Sequence, residues 1–350
     1  MMKKEKPVGT APGYTRVARI FVGAFVLLAI AIAGALFMGS TPWKIPHAAS
    51  GSVSHRYELA GYWDGAEVPG GNFDRPNGIA VAPDGDVYVV DARKRVIRLD
   101  ASGGFRAEWG RDGSGPGEFS NPVDVAVAPD GSVFVSDYDQ DRVQKFTKDG
   151  RYLLQFGRPG DGPGEFDAPA GLAVDGAGSV YVADFYHHRI QKFSGEGVFQ
   201  TMIGHPGQRG DGALNYPTGI HAADDGRLIV ADAYNYQLQW FDANGRPARR
   251  AAHLWPRPAT SATGFNVPTG VTVGPAGFIH VADSGNHRVV LLSQQGGYVA
   301  EWKIPDADPA IHSPGKIAVS PDGHQVYAAD YAGNRIIVLR LTDPASGRGR

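Results

Sequence analysis

The stretch RPNGIAVAPDGDVYVVD, from Arg75 to Asp91, decides how the rest of the chain is read. A proline is followed by an apolar run, Gly78-Ile79-Ala80-Val81. Pro83-Asp84-Gly85 is turn chemistry: proline presets φ, the aspartate bonds its own backbone, and glycine takes positive φ at no steric cost. Val87-Tyr88-Val89-Val90 is β-branched and aromatic, as a strand requires, and it stops at Asp91. The pattern then returns. Pro76, Pro122, Pro169, Pro217, Pro268 and Pro314 are 46, 47, 48, 51 and 46 residues apart, and Asp91, Asp137, Asp184, Asp232, Asp283 and Asp330 keep the same rhythm. Each aspartate is followed by a short polar loop and a third strand such as Arg142–Phe146. Lys148-Asp149-Gly150 then turns the chain into a fourth strand, Tyr152–Phe156.

Four strands per repeat of this length predict an all-β fold, a six-bladed β-propeller of four-stranded blades. A β-helix has a shorter repeat, and helical repeats need apolar spacings of three and four that these segments lack. The phase predicts how the ring closes. The body begins on a fourth-strand sequence, Tyr57–Trp63, matching Phe105–Trp109 and Tyr298–Trp302, and it ends on a third strand, Arg335–Leu341. The first strand is therefore expected to complete the last blade, which removes the open edges that short strands otherwise expose.

Composition agrees. The 350 residues include 48 glycines and 25 prolines, about a fifth of the chain, yet 42% are hydrophobic, so the chain is turn-rich and still able to bury a core. With no cysteine, disulfides, thiolate-bound zinc, iron–sulfur clusters and thiol nucleophiles are excluded. Net charge is −2, but residues 1–19 carry +4, which leaves the remainder acidic and unlike a nucleic-acid binder. Ile20 to Met38 contains no charged residue, enough to cross a hydrocarbon core of about 30 Å. The basic residues before it place the N-terminus in the cytoplasm. The expected organisation is a cytoplasmic segment (1–19), a transmembrane signal-anchor helix (20–40), a linker (41–55), the propeller (56–342) and a short tail (343–350). The propeller is expected in the periplasm or extracytoplasmic space, tethered to the cytoplasmic membrane. A cleaved signal peptide at Ala33-Gly34-Ala35 is the alternative; the apolar run is longer than the usual signal core.

The segments Gly157–Phe166, Pro169–Val174, Val182-Ala183-Asp184, Arg189–Phe193 and, above all, Val281-Ala282-Asp283-Ser284-Gly285-Asn286-His287-Arg288-Val289 resemble NHL repeats over about residues 56–342. The resemblance implies a six-bladed propeller. It does not fix a function, since such propellers serve as RNA-binding and protein-binding scaffolds, lyases and extracellular binding modules. The family's peptidyl-hydroxyglycine amidating lyases hold zinc through histidines in a Pro-His context. Here the prolines are followed by Asn77, Val123, Ala170, Thr218, Thr269 and Gly315, so the resemblance does not carry that metal site over. Gluconolactonase-like propellers hold a divalent metal on carboxylate and Asn; Asn77 and Asp124 imitate part of that set, but two oxygens fall short of a hard-metal site. No metal and no cofactor is expected. Asn77, Asp124, Thr218 and Thr269 are assigned to the channel mouth.

The six repeated aspartates face an arginine at the far end of their loop in five repeats (Arg95, Arg142, Arg189, Arg288, Arg335) and Gln237 in the other, which reads as architecture. His187, His188 and His287 read as exposed loop residues, and His221 and His280 as packed strand histidines. The glycine-rich crossings, such as Gly110–Glu118, lack the Gly-Lys-Ser/Thr ending of a phosphate loop and read as linkers. The loops between second and third strands carry Tyr138, Phe185, Tyr186, Tyr234, Tyr236 and Tyr331. With His187, His188, Asn286 and His287, these residues form the predicted partner-binding face of a protein-binding scaffold or accessory subunit. The alternative is a metal-dependent lyase or hydrolase.

Overall fold

The computed structural model describes residues 56–208, 210–248, 264–303 and 313–342. The anchor, linker and tail expected at 1–55 and 343–350 lie outside the described residues. Among the described residues, no helix is long and apolar enough to cross a membrane.

The chain folds into a six-bladed propeller. Blade 1 runs through Gly78–Val81, Val87–Asp91, Arg95–Leu99 and Phe105–Trp109, each strand antiparallel to the next. Blades 2, 3 and 5 repeat this order from Pro122, Pro169 and Pro268. Blade 4 shows three strands, Pro217–Ala222, Leu228–Asp232 and Gln237–Phe241; a fourth is begun by the antiparallel bridge between Phe241 and Pro247, and the residues after Ala248 lie outside the described residues. Blade 6 is closed as predicted. Arg56–Trp63 pairs with Arg335–Thr342, from Arg56 opposite Thr342 to Trp63 opposite Ile336, with a bulge between Leu59 and Gly61.

The alternation of each second strand decides where the core lies. In Val87–Asp91, Val87 and Val89 pack toward blade 6 against Tyr327, Ile336 and Val338. Tyr88 and Val90 point the other way, toward Val125, Val133 and Phe146 of blade 2. Such a strand is covered on both sides, so every one of its residues is buried and it reads as a continuous apolar run. The core is accordingly six wedges, one between each pair of adjacent blades.

In blades 2 to 6 the inner strand begins at its proline beside the repeated aspartate, as where Pro169 lies opposite Asp184 and Pro268 opposite Asp283. The channel mouth at the prolines and the loops after the aspartates therefore share one face. Arg56 and Thr342, where the chain enters and leaves the ring, lie on the opposite face.

Candidate functional site

The loop-bearing face is built on six buried carboxylates. All six repeated aspartates have no solvent exposure. Asp184 shows the pattern: Oδ1 accepts the Asp167 amide at 2.9 Å, and Oδ2 accepts Arg189 Nε at 2.8 Å and Gln191 Nε2 at 3.0 Å. Arg288 Nε reaches Asp283 at 2.7 Å and Arg335 Nε reaches Asp330 at 2.8 Å. In blade 4 the amides of Asn235, Gln237 and Gln239 converge on Asp232 Oδ2 instead. Burial raises the pKa values of Asp91, Asp137, Asp232 and Asp283, weakening them as acids, and their hydrogen-bond donors oppose the shift.

A second ring of contacts joins blade to blade, and the sequence reading missed it. The residue just before each arginine (Gln237 in blade 4) takes a left-handed conformation: Lys94, Asp141, His188, Tyr236, His287 and Asn334 have φ between 51° and 64°. From there, Asp141 Oδ1 accepts the Ala168 amide (2.8 Å), His188 Nδ1 the Tyr216 amide (2.9 Å) and Asn334 Oδ1 the Arg75 amide (2.8 Å). His287 Nδ1 meets Ser313 Oγ at 3.3 Å. In each case the partner precedes the next blade's proline. His188 and His287, expected to be exposed, are therefore half-buried and bonded, because they sit at this stitching position. His187 bridges Asp184 (2.9 Å) and Asp161 (2.8 Å), and the Asp184 carboxylate holds its imidazolium form above its ordinary range. Burial lowers that of His188.

The crossings are more ordered than linkers. Glu118 accepts the Gly115 amide at 2.9 Å and pairs with Arg111, and Glu165 does the same with Gly162 and Arg158. The signal was present in the sequence as a glutamate at one offset in both glycine-rich loops.

The aromatic residues of blades 2 to 4 form one connected group. Tyr138 lies 6.0 Å from Phe185 and 6.2 Å from Tyr186 between ring centroids. Phe185 lies 4.9 Å from Tyr216, and Tyr216 is 5.0 Å from Tyr234 and 4.3 Å from His188. These are tilted or edge-on contacts, the favoured aromatic geometries. Phe185 is buried, while Tyr138, Tyr186, Tyr216 and Tyr234 remain half-buried. Burial pushes the Tyr138 phenol well above its ordinary range. Tyr216, whose side chain links blade 3 to blade 4, was not singled out from sequence; it stands directly before a blade-opening proline. Tyr236, next along the chain, sits at the left-handed position. Tyr331 lies apart, against Arg75. Asn286 is committed to Asp283 (2.7 Å) and the Gly264 carbonyl (2.9 Å).

At the channel mouth, Thr218 Oγ1 donates to the Pro268 carbonyl (3.1 Å) and Thr269 Oγ1 to the Gly315 carbonyl (2.6 Å), each bonding to the next blade. Asn77 is half-buried, with its amide donating to the Val90 carbonyl at 2.9 Å. Asp124 is buried and pairs with Lys316 at 3.0 Å rather than with Asn77. Among the described residues, no group of three or more His, Asp or Glu side chains is placed to hold a metal.

Of the strand histidines, His280 is packed as expected, whereas His221 is half-buried and lines the central cavity. Tyr57 Oη bonds His280 Nδ1 at 2.6 Å, and the Val273 amide bonds His221 Nδ1 at 3.3 Å. Desolvation lowers the pKa of His280 to about 3 and that of His221 to about 4. An unfolded chain protonates both near 6.5, so unfolding takes up protons below that pH. Stability from these residues is complete above about pH 6.5 and is lost as pH falls toward 3. For His280, 1% exposed, the slope approaches about 1.4 kcal/mol per pH unit. Urea unfolding of wild type and His280→Gln between pH 7.5 and 4.5 is expected to show a shallower acid decline in the variant. Parallel declines refute the assignment.

The comparisons with known proteins agree with this architecture. Residues 73–95, 119–146, 166–193, 214–241 and 265–290 match the NHL repeat model. No curated protein matches the chain in sequence. Among solved structures, a streptogramin B lyase is 18% identical, with a TM-score of 0.56 over 84% of this chain and all of that one. Virginiamycin B lyase from Staphylococcus aureus is 16% identical (TM-score 0.54, 82% of this chain, all of that one). A gluconolactonase from Xanthomonas campestris is 15% identical (TM-score 0.61, 87% of this chain and 96% of that one). At these identities the likeness is one of fold.

Proposed function

Because the chain is a propeller of NHL repeats, we propose that it is a membrane-tethered, extracytoplasmic binding propeller, a scaffold or accessory subunit that docks a protein partner on its aromatic face. The observation that carries this reading is the connected group of Tyr138, Phe185, Tyr186, Tyr216 and Tyr234 across three blades, on the face opposite chain entry. Large amphipathic rings held on a rigid frame lose little entropy on binding and concentrate interface energy. A tether entering on the other face leaves them clear of the membrane, and confinement raises the effective concentration of partners in the same membrane.

The test uses the full-length protein in mild detergent. Tyr186→Ala with Tyr234→Ala is expected to cut recovery of the wild type's co-purifying partner at least tenfold, while the variant keeps a single cooperative thermal transition at a somewhat lower temperature. Unchanged recovery defeats the reading. Carbonate extraction of membranes tests the tether: a soluble, shortened product excludes an uncleaved anchor. The second reading, a metal-dependent lyase or hydrolase, is favoured by the fold shared with the lyases and the gluconolactonase. Stoichiometric metal, lost together with an activity, would establish it in place of the scaffold.

A further inference from the structure

Two residues after the blade-opening proline, four blades carry glycine: Gly78, Gly171, Gly219 and Gly270. A Cβ there would stand 2.6 Å from Asp124 Cα, 2.0 Å from the Thr218 carbonyl oxygen, 2.7 Å from that of Thr269 and 2.9 Å from that of Gly315. These are backbone atoms of the next blade, so at this level the inner strands approach too closely for side chains. The two remaining blades carry Asp124 and Lys316, and these two side chains meet in the channel. Lys316 Nζ lies 3.0 Å from Asp124 Oδ2 and donates to the Thr218 carbonyl at 2.5 Å. The rest of the carboxylate is already used: Oδ2 also accepts the Leu172 amide and Oδ1 the Val125 amide, both at 3.0 Å. Both side chains are mostly buried, 12% and 7% exposed. A cavity of about 200 Å³ begins at this pair and extends down the inner strands to His221 and Thr272.

We propose that Asp124 Oδ2 and the Thr218 carbonyl form a cation-binding cradle whose resident cation is the chain's own Lys316 ammonium, and that the cradle takes a small primary alkylammonium when this lysine is shortened. A hard divalent ion wants six or more oxygens, whereas an ammonium is served by a few acceptors placed along its N–H directions. The lysine ties blade 6 to blades 2 and 4 across the channel and divides the aromatic-face mouth from the cavity beneath. The inference does not depend on the partner-binding reading.

Lys316→Ala removes the atoms of a propylammonium ion beyond Cβ. In the full-length protein it is expected to lower the melting temperature by about 5–10 °C, since it leaves a buried carboxylate unpaired. Propylammonium chloride at tens of millimolar is expected to restore at least half of that loss, saturably. Propan-1-ol and sodium chloride are expected to restore none, and wild type and Lys316→Ala/Asp124→Asn to stay unmoved by the amine. The proposal is overturned if wild type gains as much from the amine, if propan-1-ol serves as well, or if calcium alone restores the variant. Should Lys316→Ala not fold, Lys316→Met keeps the stem without the charge, and an unchanged melting temperature there overturns the proposal too.

Discussion

Deleting Tyr57 through Trp63 from the full-length protein is expected to yield an open, aggregating product with no sharp thermal transition. This segment is the outer strand of blade 6, and the rest of that blade comes from the other end of the chain. Tyr57 belongs to the wedge between blades 5 and 6, where its hydroxyl bonds the buried His280. Trp63 packs on Tyr327 in the wedge between blades 6 and 1, with ring centroids 5.1 Å apart. Loss of the strand therefore weakens two wedges and exposes the whole edge of Arg335–Thr342, a template for pairing with another chain. Replacing a large buried side chain by alanine costs about 3–5 kcal/mol, and this deletion removes the buried Tyr57 and the partly buried Trp63 together with a ladder of backbone bonds. Light scattering coupled to size-exclusion chromatography reads the outcome. A compact monomer with the wild-type melting curve would show that the ring does not depend on its first strand. A synthetic peptide of residues 56–63 is expected to restore monomer only if the deleted strand is what seals it.

What the sequence made legible, and what it did not, follows from how repetition works. A feature that appears in every blade at a fixed offset becomes visible as a period: the prolines, the aspartates and the arginine partners are read directly, and ring closure follows from the phase of Tyr57–Trp63. Features that depend on chemistry differing between blades are hidden. The stitching position is Lys94, Asp141, His188, Tyr236, His287 and Asn334, six places held by five residue types, joined by a shared backbone conformation that no composition reveals. His188 and His287 thus looked like loop histidines although their place in the repeat makes them joints. Asp124 was read beside Asn77 because both follow a proline closely; its partner lies 192 positions away in blade 6, and only the comparison of all six Pro+2 positions, four glycines and one charge of each sign, announces it. The aromatic face was legible as a set of loops but not as a connected group, because Tyr216 belongs to a crossing rather than to those loops.

The architectural reading of the repeated carboxylates predicts an unequal response to the same substitution in two blades. Asp184→Ala strands Arg189 Nε, Gln191 Nε2, His187 Nδ1 and the Asp167 amide, four groups drawn to one carboxylate. Removing one partner of a buried pair costs about 3–5 kcal/mol, so the melting temperature is expected to fall by roughly 5–10 °C. Asp184→Asn is expected to do no better, because an amide NH2 placed at Oδ2 meets guanidinium donors that cannot reverse. Asp232 differs: its Oδ2 accepts only from the amides of Asn235, Gln237 and Gln239. Gln237 bonds nothing else in that network and can turn its carbonyl toward a new NH2, since either end of an amide can serve. Asp232→Asn should therefore cost no more than about half of Asp184→Asn, and adding Gln237→Arg should abolish that tolerance by restoring the fixed donors of the other blades. Differential scanning calorimetry of the four variants gives the comparison. Equal losses at Asp184 and Asp232 would mean that charge, rather than the direction of the donors, holds these loops.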